Sequence, residues 1–154
     1  MIEIGDILPE FNLDDTLGNE FSSKNKILGK KCILYFYPND FNPGCTIEAE
    51  EFSKFFEEFK TNKIEIVGIS DDDPDSHQEF CESIKIPYTL LSDTEHIVSE
   101  LFGVTEMKNF LGNDVLAIKR STFLIDEEGK IFKIFRDVEP EGHAKNVLEE
   151  FLNN

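Results

Sequence analysis

The chain has 154 residues, about 40% of them apolar, which is enough to bury one hydrophobic core, so we predict a single domain covering residues 1–154. Thirty-two acidic side chains against fifteen basic ones give a net charge of −17. This charge disfavours binding to nucleic acid and to anionic membrane surfaces.

The N-terminal residues lack a basic region followed by a long apolar stretch, and no apolar run approaches 18 residues. We therefore expect neither a secretory signal nor a membrane span. The three cysteines, Cys32, Cys45 and Cys81, are an odd number without close pairing. This pattern favours free thiols in a reducing compartment, so we expect a cytoplasmic protein.

The first predicted elements are two short strands, Phe11 to Leu13 and Glu20 to Ser22, which form a β-hairpin at the start of the chain. Cys32 to Tyr37 is apolar at every position, which is typical of a strand covered on both faces. After Cys45, apolar residues recur at helical spacing and charged residues fill the opposite face. The apolar face of this predicted helix consists of Ala49, Phe52, Phe55, Phe56 and Phe59.

The next predicted strand is Ile64 to Ile69. It is followed by a helix that starts at Asp73 and Pro74 and runs to about Ile84. We interpret the three aspartates at 71–73 as a helix cap rather than as a cation site. Extended structure resumes from Tyr88 to Leu91.

In the last third of the chain, a short helix is predicted from Glu95 to Phe102, and Val104 to Asp114 shows no clear period, so we expect an irregular surface segment there. Ala117 to Ile125 and Lys130 to Arg136 predict two strands joined in a hairpin, with Gly129 supplying a positive φ. A terminal helix carries an apolar face made of Ala144, Val147, Leu148, Phe151 and Leu152.

The order of these elements indicates an α/β fold. Strands and helices alternate, and the chain ends with a β-hairpin and a helix, an order that a central mixed sheet with helices on both faces satisfies. A thioredoxin-like fold with an N-terminal β-hairpin has this order.

Cys45 is the most informative residue of the sequence. It lies where the apolar strand has ended and the next helix begins, so backbone N–H groups and the helix dipole favour an anion at its sulfur. A free thiol is only a few per cent ionised at neutral pH. A helix N-terminus together with a nearby cation lowers the thiol pKa by roughly one to five units, so we predict that Cys45 is mostly thiolate.

The segment from Tyr35 to Ala49, which contains Pro38, Pro43-Gly44-Cys45-Thr46 and Glu48, resembles the active-site segment of peroxiredoxins. The similarity is to the Q-type group, also called bacterioferritin comigratory proteins. A second block, Arg120 to Asp126, resembles that group's arginine-bearing strand. The resemblance covers nearly the whole chain and implies a thioredoxin-like peroxiredoxin fold and a thiol-dependent peroxidase acting on hydrogen peroxide and small organic hydroperoxides.

The resemblance also implies roles for individual residues. Cys45 is then the peroxidatic cysteine, and Arg120 lies beside it, stabilises the thiolate and donates hydrogen bonds to the peroxide. Pro38 shields the thiolate from water. Glu48 orients Arg120, and the alternative for Glu48 is a solvated position on the helix face.

Asn42 departs from the family pattern, because peroxiredoxins usually carry threonine or serine three residues before the peroxidatic cysteine. An amide has donors and an acceptor for the same contacts, but it is longer than a hydroxyl and planar. Displacing a reacting atom by about 1 Å reduces the rate on the order of a hundredfold. The alternative function is therefore a redox-responsive binding or sensor protein on the same scaffold, with weak peroxidase turnover.

Oxidation of Cys45 gives a sulfenic acid that needs a second thiol. Many Q-type proteins carry this resolving cysteine five residues further along the same helix, where this chain has Glu50. Others carry it on the following helix, and Cys81 matches that arrangement. The alternative for Cys81 is a buried apolar role, and Cys32, inside an apolar strand, is expected to be structural.

The other polar residues predict no further site. His77, His96 and His143 are widely spaced and are expected to have surface or capping roles, so no metal is expected. No glycine-rich phosphate loop indicates a nucleotide cofactor, and no C-x-x-C pair indicates a disulfide reductase. The resemblance implies reduction by thioredoxin or a similar dithiol protein and favours a monomer.

Overall fold

The computed structural model describes all 154 residues. The strands are β1 (Asn12–Asp15), β2 (Glu20–Ser22), β3 (Lys31–Phe36), β4 (Ile64–Ser70), β5 (Thr89–Ser92), β6 (Thr105–Phe110), β7 (Asn113–Ile118), β8 (Ser121–Ile125) and β9 (Ile131–Phe135). The helices are α1 (Ser23–Lys26), α2 (Pro43–Lys54), α3 (Phe56–Thr61), α4 (Pro74–Ile84), α5 (Ile97–Leu101) and α6 (His143–Leu152). None of these helices is long and apolar enough to cross a membrane.

Seven strands form one mixed sheet in the order β2-β1-β5-β4-β3-β8-β9. The central strand β3 is parallel to β4 and antiparallel to β8. Its side chains alternate between two apolar clusters, with Leu34 and Phe36 in one and Ile33 and Tyr35 in the other. Residues of α2, α3, α4 and α6 belong to one cluster, and Val98 of α5 belongs to the other. The predicted mixed sheet with helices on both faces is thus confirmed.

Most predicted elements are confirmed with small shifts at their ends. The N-terminal hairpin forms as β1 and β2, which pair antiparallel, and β8 pairs with β9 as the predicted hairpin. Gly129 has a φ of 80° in the turn between them. Asp73 caps α4, since its Oδ1 accepts a hydrogen bond of 2.8 Å from the N–H of Ser76.

The predicted irregular segment from Val104 to Asp114 is wrong, because it forms β6 and the start of β7 in a separate two-stranded ribbon. Leu111 and Gly112 make the turn with φ values of 52° and 85°, the positive pair that a two-residue hairpin loop requires. Both faces of the ribbon are largely exposed. The alternation of apolar and polar residues that reveals a half-buried strand is therefore missing.

The strand predicted from Ala117 to Ile125 is also wrong as a single element. β7 ends at Ile118 in the ribbon, and β8 begins at Ser121 in the central sheet. Lys119 and Arg120 connect the two sheets and belong to neither. The break matters for the site, because Arg120 lies between the two strands and is not part of either strand ladder.

The helix predicted through Phe59 divides at Phe55, whose ψ of 8° interrupts the helical path between α2 and α3. After this change of direction, Phe59 is fully buried and its ring lies 6.1 Å from that of Phe52. Of the residues that the apolar periodicity identified, Ala49, Phe52 and Phe59 are buried, whereas Phe55 and Phe56 are partly buried. The break results from packing that the periodicity does not describe.

We expect Gly68→Ala to destabilise the sheet. A Cβ at Gly68 in β4 would lie 2.8 Å from Leu90 Cδ2 and 2.9 Å from Tyr35 Cζ, both in the packed core. Overpacking of this kind lowers the free energy of unfolding by about 1–3 kcal/mol, which urea denaturation measures. Glu65→Gln on the exposed side of β4 is the control and should change it by less than about 0.5 kcal/mol. Equal stability of the two variants contradicts this account of the packing.

Candidate active site

The loop between β3 and α2 places Cys45 in the first turn of α2. Asn42 is the N-cap, and its side-chain Oδ1 accepts a hydrogen bond of 3.1 Å from the N–H of Cys45. Pro43 occupies the first helical position, where its missing N–H is harmless. The predicted helix N-terminus at Cys45 is therefore confirmed, and the residue is only 1% exposed.

Arg120 and Glu48 form an ion pair next to this turn. Nη1 of Arg120 donates to Oε1 of Glu48 at 2.9 Å, and the Glu48 side chain is fully buried in α2, one turn after Cys45. The solvated helix face considered for Glu48 is therefore wrong. Oε2 of Glu48 has no hydrogen-bond partner, so Arg120 alone compensates this carboxylate.

Gly44 allows the guanidinium to lie against the start of α2. A Cβ at this position would lie 3.0 Å from Nη2 of Arg120 and 3.2 Å from Cγ of Pro140. The absence of a side chain at Gly44 thus leaves room for Arg120 beside the residue that precedes Cys45. The two motifs that the sequence separates by more than seventy residues meet at this point.

Burial raises the pKa of the Cys45 thiol above its ordinary value. The backbone N–H of Asn39 and the positive charge of Arg120 oppose this shift, whereas the negative charge of Glu48 adds to it. The prediction of a lowered pKa is therefore wrong for this conformation. Loss of water around the sulfur outweighs the helix N-terminus and the cation, because Glu48 already offsets part of the charge of Arg120.

The same burial raises the pKa of Glu48 to about 7, and Arg120 opposes the shift. Glu48 therefore changes its charge near neutral pH. When it is protonated, the charge of Arg120 is available to the sulfur of Cys45. The two acids and the single guanidinium thus form one coupled group.

Two histidines have neither the surface role nor the capping role predicted for them. His143, at the start of α6, is buried and its Nε2 is 2.8 Å from Oγ1 of Thr122. Burial and the nearby Arg120 lower its pKa to about 4, so no second cation competes with Arg120 at neutral pH. His77 is also fully buried. His96, which pairs with Asp71 at 2.8 Å, is partly exposed at the N-terminus of α5.

The remaining predicted residues occupy three different environments. Pro38 is half-buried in the loop that follows β3. Cys81 lies in α4, packs against the same apolar cluster as Cys45 and is a free thiol. Burial raises the pKa of Cys81 to about 11, with a further contribution from Asp40. Cys32 is fully buried in β3, and its pKa is raised by that burial.

Comparison with known proteins agrees with this geometry. Residues 4–134 match the AhpC/TSA family. The chain is 40% identical over 148 residues to the putative peroxiredoxin bcp of Helicobacter pylori, covering 96% of this chain and 97% of the relative. It is 39% identical to peroxiredoxin Bcp of Bacillus subtilis, with 96% and 94% covered.

Solved structures show the same fold. A cysteine-to-serine mutant of PrxQ from Xylella fastidiosa superposes with a TM-score of 0.92 at 30% identity, covering 99% of this chain and 97% of that one. The bacterioferritin comigratory protein of Xanthomonas campestris, described by its alkyl peroxide reduction activity, superposes with a TM-score of 0.87 at 32% identity, with 96% and 98% covered.

A cysteine in the first turn of a helix on a thioredoxin-like sheet, together with these matches, defines the class: the chain belongs to the AhpC/TSA family. Within it, the protein is a peroxiredoxin of the Q-type, or bacterioferritin comigratory, group. It is a thiol-dependent peroxidase, with a peroxide as substrate and a thiol as reductant.

The Glu48→Gln substitution tests the coupling between the three charged groups. We expect the pKa of Cys45 to fall, because the carboxylate that raises it is gone. The rate of reaction with peroxide should nevertheless fall about tenfold, because Arg120 loses its charged partner at 2.9 Å. The pH dependence of alkylation by iodoacetamide measures the pKa, and stopped-flow fluorescence measures the rate.

Glu50→Gln is the matched control, because Glu50 lies on the exposed face of the same helix. It should leave both quantities unchanged. An unchanged thiol pKa in Glu48→Gln contradicts the coupling between Glu48 and Cys45.

Proposed function

We propose that Cys45 is the peroxidatic cysteine and that Arg120 binds the peroxide beside it. The observation that carries this proposal is the placement of the guanidinium, which is held by buried Glu48 at 2.9 Å and lies against Gly44 in the turn that carries Cys45. The substrates are hydrogen peroxide and small organic hydroperoxides. Alkyl peroxide reduction by the Xanthomonas campestris relative supports the second class.

In the first step, the thiolate of Cys45 attacks one peroxide oxygen. An S–O bond forms as the O–O bond breaks, and the second oxygen leaves as alkoxide or hydroxide and takes a proton to give an alcohol or water. Negative charge grows on that leaving oxygen. The N–H groups of Arg120 are fixed before the reaction, so they stabilise this charge without reorganisation. The product is the sulfenic acid of Cys45.

Asn42 has two roles in this proposal. Its Oδ1 caps α2 at the N–H of Cys45, and its Nδ2 is a donor for the peroxide in place of the usual hydroxyl. Pro38, half-buried in the same loop, limits the access of water to the sulfur. The relatives are named peroxiredoxins and give no support to the alternative of a binding or sensor protein with weakened turnover.

In the second step, we propose that Cys81 resolves the sulfenic acid. The thiolate of Cys81 attacks the sulfur of Cys45, an S–S bond forms, the S–O bond breaks, and the oxygen leaves as water after protonation. Two structures of Xanthomonas campestris peroxiredoxin Q carry serine at one or the other of two cysteines with the spacing of Cys45 and Cys81. That spacing supports the pairing.

A dithiol protein such as thioredoxin then reduces the disulfide, because an intramolecular disulfide needs two electrons and two protons. A mitochondrial 1-Cys peroxiredoxin of yeast that is 27% identical is described as resolved through glutathione and thioredoxin systems, which supports thioredoxin as one class of reductant. The three free cysteines support a reducing compartment, the cytoplasm. Repulsion between like charges at a net charge of −17 supports a monomer. The length of 154 residues supports a single domain covering residues 1–154.

Rapid mixing with one equivalent of hydrogen peroxide tests the assignment of the two cysteines. In the reduced wild-type protein, Cys45 should be consumed and a peptide crosslink between Cys45 and Cys81 should appear on mass spectrometry. Cys45→Ser should consume no peroxide beyond the background rate of the other thiols. Cys81→Ser should consume the first equivalent at the wild-type rate and then stop at the sulfenic acid.

Cys32→Ser is the control, because Cys32 is fully buried and should not enter the crosslink. Oxidation of Cys45 no faster than that of a free thiol refutes its peroxidatic role. A crosslink that survives in Cys81→Ser refutes the resolving role of Cys81.

Substitution of Asn42 separates its two roles. Asn42→Ala loses the helix cap and should lower the free energy of unfolding by about 1 kcal/mol, and loss of a positioned donor should lower the rate with peroxide about tenfold. Asn42→Thr keeps a capping oxygen and adds the hydroxyl, so its stability and rate should match or exceed those of the wild type. A wild-type rate in Asn42→Ala shows that Asn42 only caps the helix.

A further inference from the structure

A buried polar cluster lies outside the reaction centre, between the loop that leads to Cys45 and the helix that carries Cys81. Its centre is Asp40, whose carboxylate accepts hydrogen bonds from the hydroxyl of Tyr37 at 2.7 Å and from that of Ser76 at 2.8 Å. Nδ1 of His77 lies 2.7 Å from the same carboxylate. The side chains of Asp40 and His77 are 1% and 0% exposed.

Both ring nitrogens of His77 face acceptors. Nε2 lies 2.9 Å from the carbonyl oxygen of Leu91, and Nδ1 lies 2.7 Å from Oδ2 of Asp40. A hydrogen bond to a carboxylate is charge-assisted, which makes it stronger than a bond between two neutral groups.

A second connection runs parallel to the first. The backbone N–H of Asp40 donates to Oδ2 of Asp72 at 2.7 Å, and the hydroxyl of Ser70 donates to the same oxygen at 2.7 Å. Asp40, Asp72 and His77 are residue types that bind metals, and their polar atoms lie within 4.8 Å of one another. These atoms already form hydrogen bonds that join Asp40 to Asp72 and to α4. The geometry therefore supports a structural connection rather than a metal site.

The next residue, Phe41, has a φ of 64°, a conformation that bulky residues rarely adopt. Phe41 is 52% exposed, and its ring packs edge-on against Phe80 at 5.2 Å between ring centroids. Phe80 directly precedes Cys81. A strained residue of the loop before Cys45 is thus held between the Asp40 cluster and the helix of Cys81, since such strain persists only where the surrounding structure holds it in place.

We propose that Asp40 and His77 form a latch that holds the loop before Cys45 against α4 and sets the rate at which Cys81 reaches the oxidised sulfur. The proposal rests on the resolving role of Cys81 in the proposed function. While the latch is closed, Cys45 is buried beside Arg120 and reacts with peroxide. Disulfide formation requires Cα atoms about 4.4–6.8 Å apart, and in this proposal the loop and α4 reach that geometry only after the latch has opened.

The environment of Cys81 agrees with this function. In the closed form, burial raises the pKa of Cys81 to about 11, and the charge of Asp40 contributes to that increase. The latch residue therefore helps to keep Cys81 in its unreactive thiol form. Separation of Asp40 from α4 removes this contribution at the moment when the thiol has to react.

Two substitutions of His77 distinguish an effect of opening the latch from an effect of lower overall stability. In His77→Gln, the amide nitrogen reaches the position of Nε2, so the bond to Leu91 is kept and the bond to Asp40 is lost. In His77→Asn, the amide nitrogen takes the position of Nδ1, so the bond to Asp40 is kept and the bond to Leu91 is lost. Each variant loses one hydrogen bond of the same buried ring.

The measurements are the rate of sulfenic acid formation, the rate of disulfide formation, and the fraction of Cys45 driven to sulfinic acid by excess hydrogen peroxide. We expect His77→Gln to form the disulfide about tenfold faster than the wild type, in line with loss of one charge-assisted hydrogen bond. Its sulfinic fraction should fall, because resolution then outpaces the second oxidation. His77→Asn should keep the wild-type disulfide rate, and both variants should form sulfenic acid at the wild-type rate.

The thermal unfolding of both variants is recorded as a control for stability. If the wild type and both variants form the disulfide at one rate, or if both variants accelerate it equally, the latch is refuted while the resolving role of Cys81 stands. If Cys45 is oxidised but no crosslink to Cys81 forms in any of the three proteins, the resolving role itself is refuted. Acceleration in His77→Gln alone supports the latch.

Discussion

The buried ion pair between Arg120 and Glu48 is the interaction on which the site depends. A carboxylate with no exposed surface and one charged partner is stable only while that partner stays in place, since breaking such a pair is unfavourable by about 3–5 kcal/mol. The pair therefore fixes the start of β8 relative to α2. The same constraint explains the glycine at 44, because a side chain there would meet the guanidinium.

One cation serves two buried acids in this site, which explains how a buried thiol can still ionise. Burial raises the pKa of both Cys45 and Glu48, and each acid is stabilised by Arg120. Ionisation of one makes ionisation of the other less favourable, so the two groups titrate together. His143 stays neutral beside them, so it adds no second positive charge that could stabilise Cys45 or Glu48 in place of Arg120. Of the two acids, Glu48 has its pKa raised to about 7, whereas burial holds the pKa of Cys45 above its ordinary value, so the sulfur is not a permanent thiolate in this conformation.

The fold and the first contacts of the site can be predicted from the sequence, whereas its electrostatics cannot. Hydrophobic periodicity and turn residues locate β3, β4, α4 and the β8–β9 hairpin. The motif around Cys45 locates the N-terminus of α2. The β6–β7 ribbon escapes prediction because both of its faces are exposed. The direction of the pKa shift of Cys45 depends on how completely water is excluded from the sulfur, and one-dimensional spacing carries no information on that exclusion.

The position of His77 also escapes prediction, and it bears on the catalytic cycle. A lone histidine on a helix indicates a surface position, and only the fold reveals that its ring joins Asp40 to α4 in the core. In the proposed catalytic cycle, the two steps need opposite states of this region. Reaction with peroxide takes place with Cys45 closed in beside Arg120, and resolution by Cys81 follows release of the loop from α4. The buried, charge-assisted hydrogen bond stabilises the closed form, whereas the backbone strain at Phe41 favours opening. These two opposing contributions allow the region to be closed in one step and open in the next.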